Sequence, residues 1–172
     1  MKYFTRDIWT DWQNEDVVVV NRAVRKWNRR IKLYRASLAP LLPRLGGRHG
    51  RFFTHHSLHD ARLLSFAISD CPASPHSSRS PRTAVDIHAL SSGKRPFVYH
   101  LRYTGIGGVD IWTKNDLFPR HESRFGSWGY DELLPEGYDM FRHNILFVTG
   151  TEISIVFRRF RFERRGASNR AV

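Results

Sequence analysis

The sequence predicts an α+β fold, in which N-terminal helices, one of them long and amphipathic, pack on an antiparallel sheet of about six strands. Three observations carry this expectation. Apolar residues from Val17 to Leu45 recur at alternating steps of 3 and 4, the period of one helix face. After Gly46-Gly47 the period changes to 2, the alternation of strands with one buried side. The alternating runs are joined by turn residues with no helical segment between them, which implies antiparallel pairing. Residues 1–172 read as one domain, with a helical layer over 1–45 and the sheet over 58–163.

Thr5 is a good N-cap for a short helix from about Arg6 to Gln13, with Asp7 placed favourably against the helix dipole. Asn14 or Asp16 can cap the long helix, which the stripe Val17, Val20, Val24, Trp27, Ile31, Tyr34, Leu38, Leu41 and Leu45 marks over about Glu15 to Ala39. Pro40 and Pro43 end it. Trp27 and Tyr34 fit a coiled-coil seam poorly, so the stripe is expected to lie on the sheet.

Strands are expected where Leu64, Phe66 and Ile68 alternate with Leu63, Ser65 and Ala67, then at Val85–Ala89, Phe97–Tyr103 and Val109–Trp112. Gly105, Gly107 and Gly108 mark a turn. Trp128–Leu133, Met140–Val148 and Ile153–Phe162 complete the set, with a Thr149-Gly150 turn before the last. In that last run Phe160 and Phe162 take the opposite parity from Ile153, Ile155 and Phe157, which implies a bulge at Arg158-Arg159. The Ser/Pro-rich segment 71–82 reads as an exposed loop and 164–172 as a disordered tail.

Charge narrows the function classes. The chain has 28 Lys or Arg against 16 Asp or Glu, a net of +12. Ten of the basic residues fall within 21–51, where there is no acid, and the segment from 158 onward is also strongly basic. Most are Arg, whose planar fork suits phosphate and carboxylate. Arg22, Arg25, Lys26, Arg29 and Arg30 on the helix, with Arg158, Arg159 and Arg161 at the end of the sheet, are the candidate partner-binding residues. One cysteine, Cys71, excludes a disulfide framework and a cysteine-based zinc site. Apolar runs of four residues at most exclude a membrane-spanning helix, and Met1 to Asp7 lacks the apolar core of a signal peptide. These features imply a cytoplasmic protein without a cofactor or a membrane partner. Nothing in them fixes an oligomeric state.

Met1-Lys2-Tyr3-Phe4-Thr5, Leu58-His59-Asp60-Ala61 and Trp128-Gly129-Tyr130-Asp131-Glu132 together resemble, in order, the short motifs of a group of small bacterial proteins of unknown function. The resemblance implies helices before a sheet and a bacterial cytoplasmic setting. It brings no catalytic residues, and His59, Asp60, Trp128, Asp131 and Glu132 within these motifs are read as structural. Gly129, where the group tends to carry a larger residue, and the Ser/Pro segment depart from it.

Few constellations point to chemistry. His55 and His59 stand four apart, a spacing that presents two imidazoles to a metal on a helix, with Asp60 as a third ligand and Asp131, Glu132, Glu136 or Asp139 available from elsewhere. A strand beginning at Ala61 argues instead that His59 and Asp60 fix the helix-to-strand connection. Ser57 beside His56 and His59 lacks a nucleophile-elbow pattern. Gly105-Ile106-Gly107-Gly108 lacks the lysine of a phosphate loop. Asp131-Glu132, an adjacent acidic pair, is expected on a surface turn. The sequence thus favours a non-enzymatic binding protein that meets an acidic protein partner through the Arg-rich helix face, in the manner of immunity or antitoxin proteins. The alternatives are weak, non-specific nucleic-acid binding and a metal-dependent enzyme built on His55, His59 and Asp60.

Overall fold

A computed structural model describes residues 1–71, 82–113 and 125–167. The expected Ser/Pro loop falls largely outside them. The helical layer forms much as the sequence implies: α1 spans Arg6–Trp12 and α2 Val17–Leu38. Asp16 caps α2, its carboxylate accepting the Val18 N–H at 2.8 Å. Thr5 has the extended backbone of an N-cap, but its hydroxyl oxygen accepts from Arg30 at 2.9 Å rather than from α1. Beyond Pro40 the chain takes a 3-10 turn, Leu42–Leu45, and two single-turn helices, α3 (Gly47–Gly50) and α4 (Phe52–His55).

The apolar stripe is buried in its second half only. Val17 is exposed, Val20, Val24, Trp27 and Ile31 are half-buried, and Tyr34, Leu38, Leu41 and Leu45 are buried. The first half of α2 has as its neighbour the seven-residue α1, and the second half lies along a strand.

Among the described residues eight strands form two four-stranded antiparallel sheets rather than one sheet of about six. They are β1 (Arg62–Cys71), β2 (Arg82–Leu90), β3 (Phe97–Thr104), β4 (Gly108–Trp112), β5 (Trp128–Glu136), β6 (Met140–Phe147), β7 (Glu152–Phe157) and β8 (Arg159–Gly166). The sheet orders are β1-β2-β3-β8 and β4-β7-β6-β5. The division arises at two adjoining corners. The run expected as one strand with a bulge at Arg158-Arg159 is two strands, β7 in one sheet and β8 in the other. At that corner the Arg158 N–H donates to the carbonyls of Thr104 and Gly105, both at 3.1 Å, where β3 turns into β4. Gly105 has a φ of +68°, and a Cβ there would sit 3.0 Å from that of Arg158, so the corner requires glycine. Two ribbons bend together and each supplies a strand to both sheets.

On the other side a bridge between Arg62 and Ser127 stitches the sheets. The Trp128 N–H donates to the Ala61 carbonyl and the Asp60 N–H to the Trp128 carbonyl, each at 2.8 Å. A register shift between Leu63 and Ser65 exposes Leu64 and turns Leu63 and Phe66 to the core, which corrects the expected alternation. β8 extends to Gly166, pairing with Phe97, so residues 164–166 belong to the sheet and not to a disordered tail.

The core fills the space between the sheets. Val85, Ile87, Leu101 and Tyr103 from one and Ile145, Phe147, Ile153 and Phe157 from the other join a single buried cluster. The helical layer meets one edge strand of each sheet, where amides would otherwise be unpaired. At β5 the Leu133 N–H donates to the Tyr34 hydroxyl at 3.0 Å, and at β8 the Phe162 N–H donates to His49 Nδ1 at 3.4 Å.

Helices α1 and α2 are pinned by Asp7 and Lys26, which form a hydrogen-bonded ion pair. Partial burial raises the Asp7 pKa, but the hydrogen bonds from Lys26 and Thr5 outweigh it and hold the carboxyl down to about 2. An unfolded Asp titrates near 3.9, so this contribution is complete above about pH 4 and is lost as pH falls towards 2. The carboxylate is 55% exposed, and solvent screening limits the gain to about 1 kcal/mol at most. Thermal melts of Asp7→Asn and the parent should therefore differ above pH 4 and converge below pH 2. An unchanged difference across that window would contradict the assignment.

Candidate functional site

A concavity of about 960 Å3 lies between α3–α4 and the outer edge of β8, lined by Arg48, His49, Arg51, His55, His56, Arg161, Phe162, Glu163 and Arg164. Its charge comes from two distant stretches of sequence. The last part of the basic block 21–51 supplies Arg48 and Arg51, and the basic final strand supplies Arg161 and Arg164. Glu163, the one carboxylate of the lining among the described residues, pairs with Arg165 at 3.3 Å. Burial, then Arg48 and Arg161, push the His49 pKa below its ordinary value; burial, then Arg164 and His55, do the same to His56. Both rings are thus neutral at pH 7, and four arginines set the sign of the site.

The expected binding residues do not form one patch. On α2, Arg22, Arg25 and Arg29 are exposed. Two of their neighbours serve the fold: Lys26 is paired with Asp7, and Arg30 donates to the Tyr3 carbonyl at 3.1 Å as well as to Thr5. Arg158 pairs with Asp139 at 3.3 Å, and Arg159 lies beside it against Thr104 and Gly105. Arg161 alone of the expected set enters the large cleft. Sequence reasoning missed Arg48, Arg51 and Arg164 as site residues. The spacing of Arg48, Arg51 and His55 by 3 and 4 was the available signal, obscured because α3 and α4 are separate single turns.

A smaller cleft of about 230 Å3 adjoins the first, and His56 borders both. It lies between α2, α4 and β5, with walls from Phe4, Trp27, Tyr34, Phe53 and Tyr130 and a carboxylate from Asp131. Behind Asp131 runs a buried polar line. Trp128 Nε1–H donates to Asp131 Oδ1 and His143 Nε2–H to Oδ2, both at 3.1 Å, and the Tyr103 hydroxyl donates to His143 Nδ1 at 2.7 Å. One neutral tautomer of His143 satisfies every atom. Tyr103 and His143 are fully buried. Burial, then the charge of Asp131, push the Tyr103 pKa well above its ordinary value, so it remains a donor. The residue types match a hydroxyl–imidazole–carboxylate triad, but the hydroxyl is sealed in the core and the carboxylate meets solvent. That order supplies an oriented anion and no accessible nucleophile.

Asp131 and Glu132 are not on a surface turn. β5 runs through them and sends them to opposite faces. Glu132 is fully buried, where it accepts backbone N–H bonds from Lys2, from Tyr3 at 2.8 Å and from Phe4 at 3.4 Å, and a side-chain bond from Asn144 at 3.1 Å. Gly129 is required beside them, since a Cβ would lie 2.9 Å from the Leu146 carbonyl oxygen.

The histidine cluster separates. His55 lines the large cleft and His59 the small one. His59 Nδ1 pairs with Asp60 at 3.0 Å, and Asp60 holds a left-handed φ of +63° at the entry to β1, a conformation Asp tolerates better than most residues. Among the described residues, no three His, Cys, Asp or Glu side chains gather as a metal ion requires. Among the same residues no helix is long and apolar enough to cross a membrane. No protein family's sequence pattern matches the chain, and no curated protein matches it either.

Proposed function

We propose that the chain is a non-enzymatic binding protein that engages an acidic protein partner, with the cleft between α3–α4 and β8 as the contact. The observation that carries this reading is the convergence of Arg48, Arg51, Arg161 and Arg164, from two distant stretches of sequence, on one concavity whose lining has a single carboxylate among the described residues. Guanidinium groups on short helices and a strand edge present planar forks that meet carboxylates with two parallel hydrogen bonds. Complementary charge then speeds association and selects against basic partners. The role is that of an immunity-like or antitoxin-like protein, and the bacterial resemblance adds a cytoplasmic setting to it.

A nucleic acid is the competing partner. The protein reading ranks first because, among the described residues, the cleft's one carbocyclic aromatic side chain, Phe162, is buried, so bases would have only the imidazoles of His49, His55 and His56 and the guanidinium planes to stack on. Titration with a poly-glutamate chain and with mixed-sequence RNA and DNA, at about 50 and 200 mM salt, separates the two. The expected result is saturable binding of poly-glutamate and weaker binding of both nucleic acids. Tighter nucleic-acid binding with a steep salt slope, or no binding of poly-glutamate at the lower salt, would overturn the proposal.

A further inference from the structure

The small cleft differs in chemistry from the large one. Among the described residues no lysine or arginine lines it, its walls are aromatic, and its charged group is the carboxylate of Asp131. In a chain with a net charge of +12, a cleft of this sign is a local exception.

The arrangement is more than a gap in packing. A fully buried imidazole and phenol in an apolar core carry a desolvation cost that an apolar pair of the same shape would avoid. Here both are aligned behind one partly exposed carboxylate. Trp128 and His143 each take one of its oxygens, which fixes the plane of the group and leaves further lone pairs directed outward. Phe53 packs edge-on to His143 with ring centroids 5.1 Å apart, and Trp27 and Tyr130 lie at 4.6 Å, so these rings are themselves held in place.

We infer that this cleft binds an alkylated ammonium ion, with Asp131 opposite its charge and Trp27, Tyr130 and Phe53 against its alkyl groups. An inorganic anion would be repelled by the carboxylate, and a plain hydrocarbon would bury that carboxylate unpaired. A metal ion lacks the ligands. An ammonium ion clothed in methyl groups uses the ring faces through cation–π attraction and the carboxylate through its charge. The remaining polar neighbours do not cancel this. His56 is neutral at pH 7 for the reasons given above, Ser57 is uncharged, and His59 is engaged by Asp60 at 3.0 Å. The ion is either a free small molecule such as choline or a methylated lysine on another protein, and the chemistry recognised is the same.

Calorimetric titration with choline and with 3,3-dimethylbutan-1-ol, its uncharged isostere, tests the inference. Choline is expected to bind saturably and at least about tenfold more tightly than the alcohol. Asp131→Asn should weaken choline about tenfold and leave the alcohol unchanged. Should that variant fail to fold, as a melt would show, Trp27→Leu at a half-buried position of α2 carries the same test, with choline weakened by a similar factor. A trimethyllysine peptide that binds tenfold more tightly than choline assigns the site to a modified partner, and equal binding assigns it to the small molecule. Equal affinity for choline and the alcohol, or no saturable binding of either, would overturn the inference. The large cleft plays no part in this test.

Discussion

Glu132→Ala is expected to cost about 3–5 kcal/mol, because it removes a buried acceptor and leaves several N–H donors unpaired at about 1–3 kcal/mol each. The carboxylate is fully buried and accepts the backbone N–H groups of Lys2, Tyr3 and Phe4 together with the Asn144 amide. The bonds from Tyr3, Phe4 and Asn144 are buried, so water does not readily replace the carboxylate there. Phe4 packs on Trp27, Tyr34 and Tyr130 with ring centroids 4.7 to 6.0 Å apart, so loss of the anchor propagates to the helical layer and to the small cleft. Glu132→Gln keeps one acceptor oxygen and should fall between the parent and the alanine variant. Urea unfolding gives the magnitude, and hydrogen exchange at the Tyr3 and Phe4 amides gives the mechanism. A stability within about 1 kcal/mol of the parent with those amides still protected would contradict the anchor.

Leu38→Asp is expected to cost about 4 kcal/mol or more, whereas Val17→Asp should change stability by about 0.5 kcal/mol or less. Both positions belong to the same apolar stripe. Leu38 is 3% exposed and Val17 69%. A carboxylate at Leu38 would be buried in the core cluster, away from water. At the first turn of α2 the same charge is solvated and lies favourably on the helix dipole. Parallel thermal and urea melts of the two variants check the pair. Equal losses would mean that the whole stripe is packed.

The contrast also shows what the sequence conveys and where it stops. The 3-4 stripe specifies a helix and its inward face, because that period is local. How much of the face is covered depends on the length of α1 and the path of β5, which are not local. The same holds at Arg158-Arg159. The change of parity between Phe157 and Phe160 is legible as an irregularity, yet only the pairing with Thr104 and Gly105 makes it a corner between two sheets. His143 is inward by its alternation with Phe141, Ile145 and Phe147, a readable oddity whose partners, Tyr103 and Asp131, lie on other strands. For the charge, the two basic segments were evident. Their meeting point was not, since it places Arg161 beside Arg48 and Arg51 rather than beside Arg22 and Arg25.

The binding proposal therefore rests on which arginines meet the partner, and charge reversal at the two places answers that most directly. Poly-glutamate affinity should fall about tenfold or more in the double variant Arg48→Glu with Arg161→Glu, a loss of about 1.4 kcal/mol or more. The matched double variant Arg22→Glu with Arg25→Glu changes the net charge equally and should stay within about twofold of the parent, since exposed charges away from the contact act weakly and are screened by salt. Equal losses in both, or the larger loss on α2, would contradict the account and return the site to the helix face.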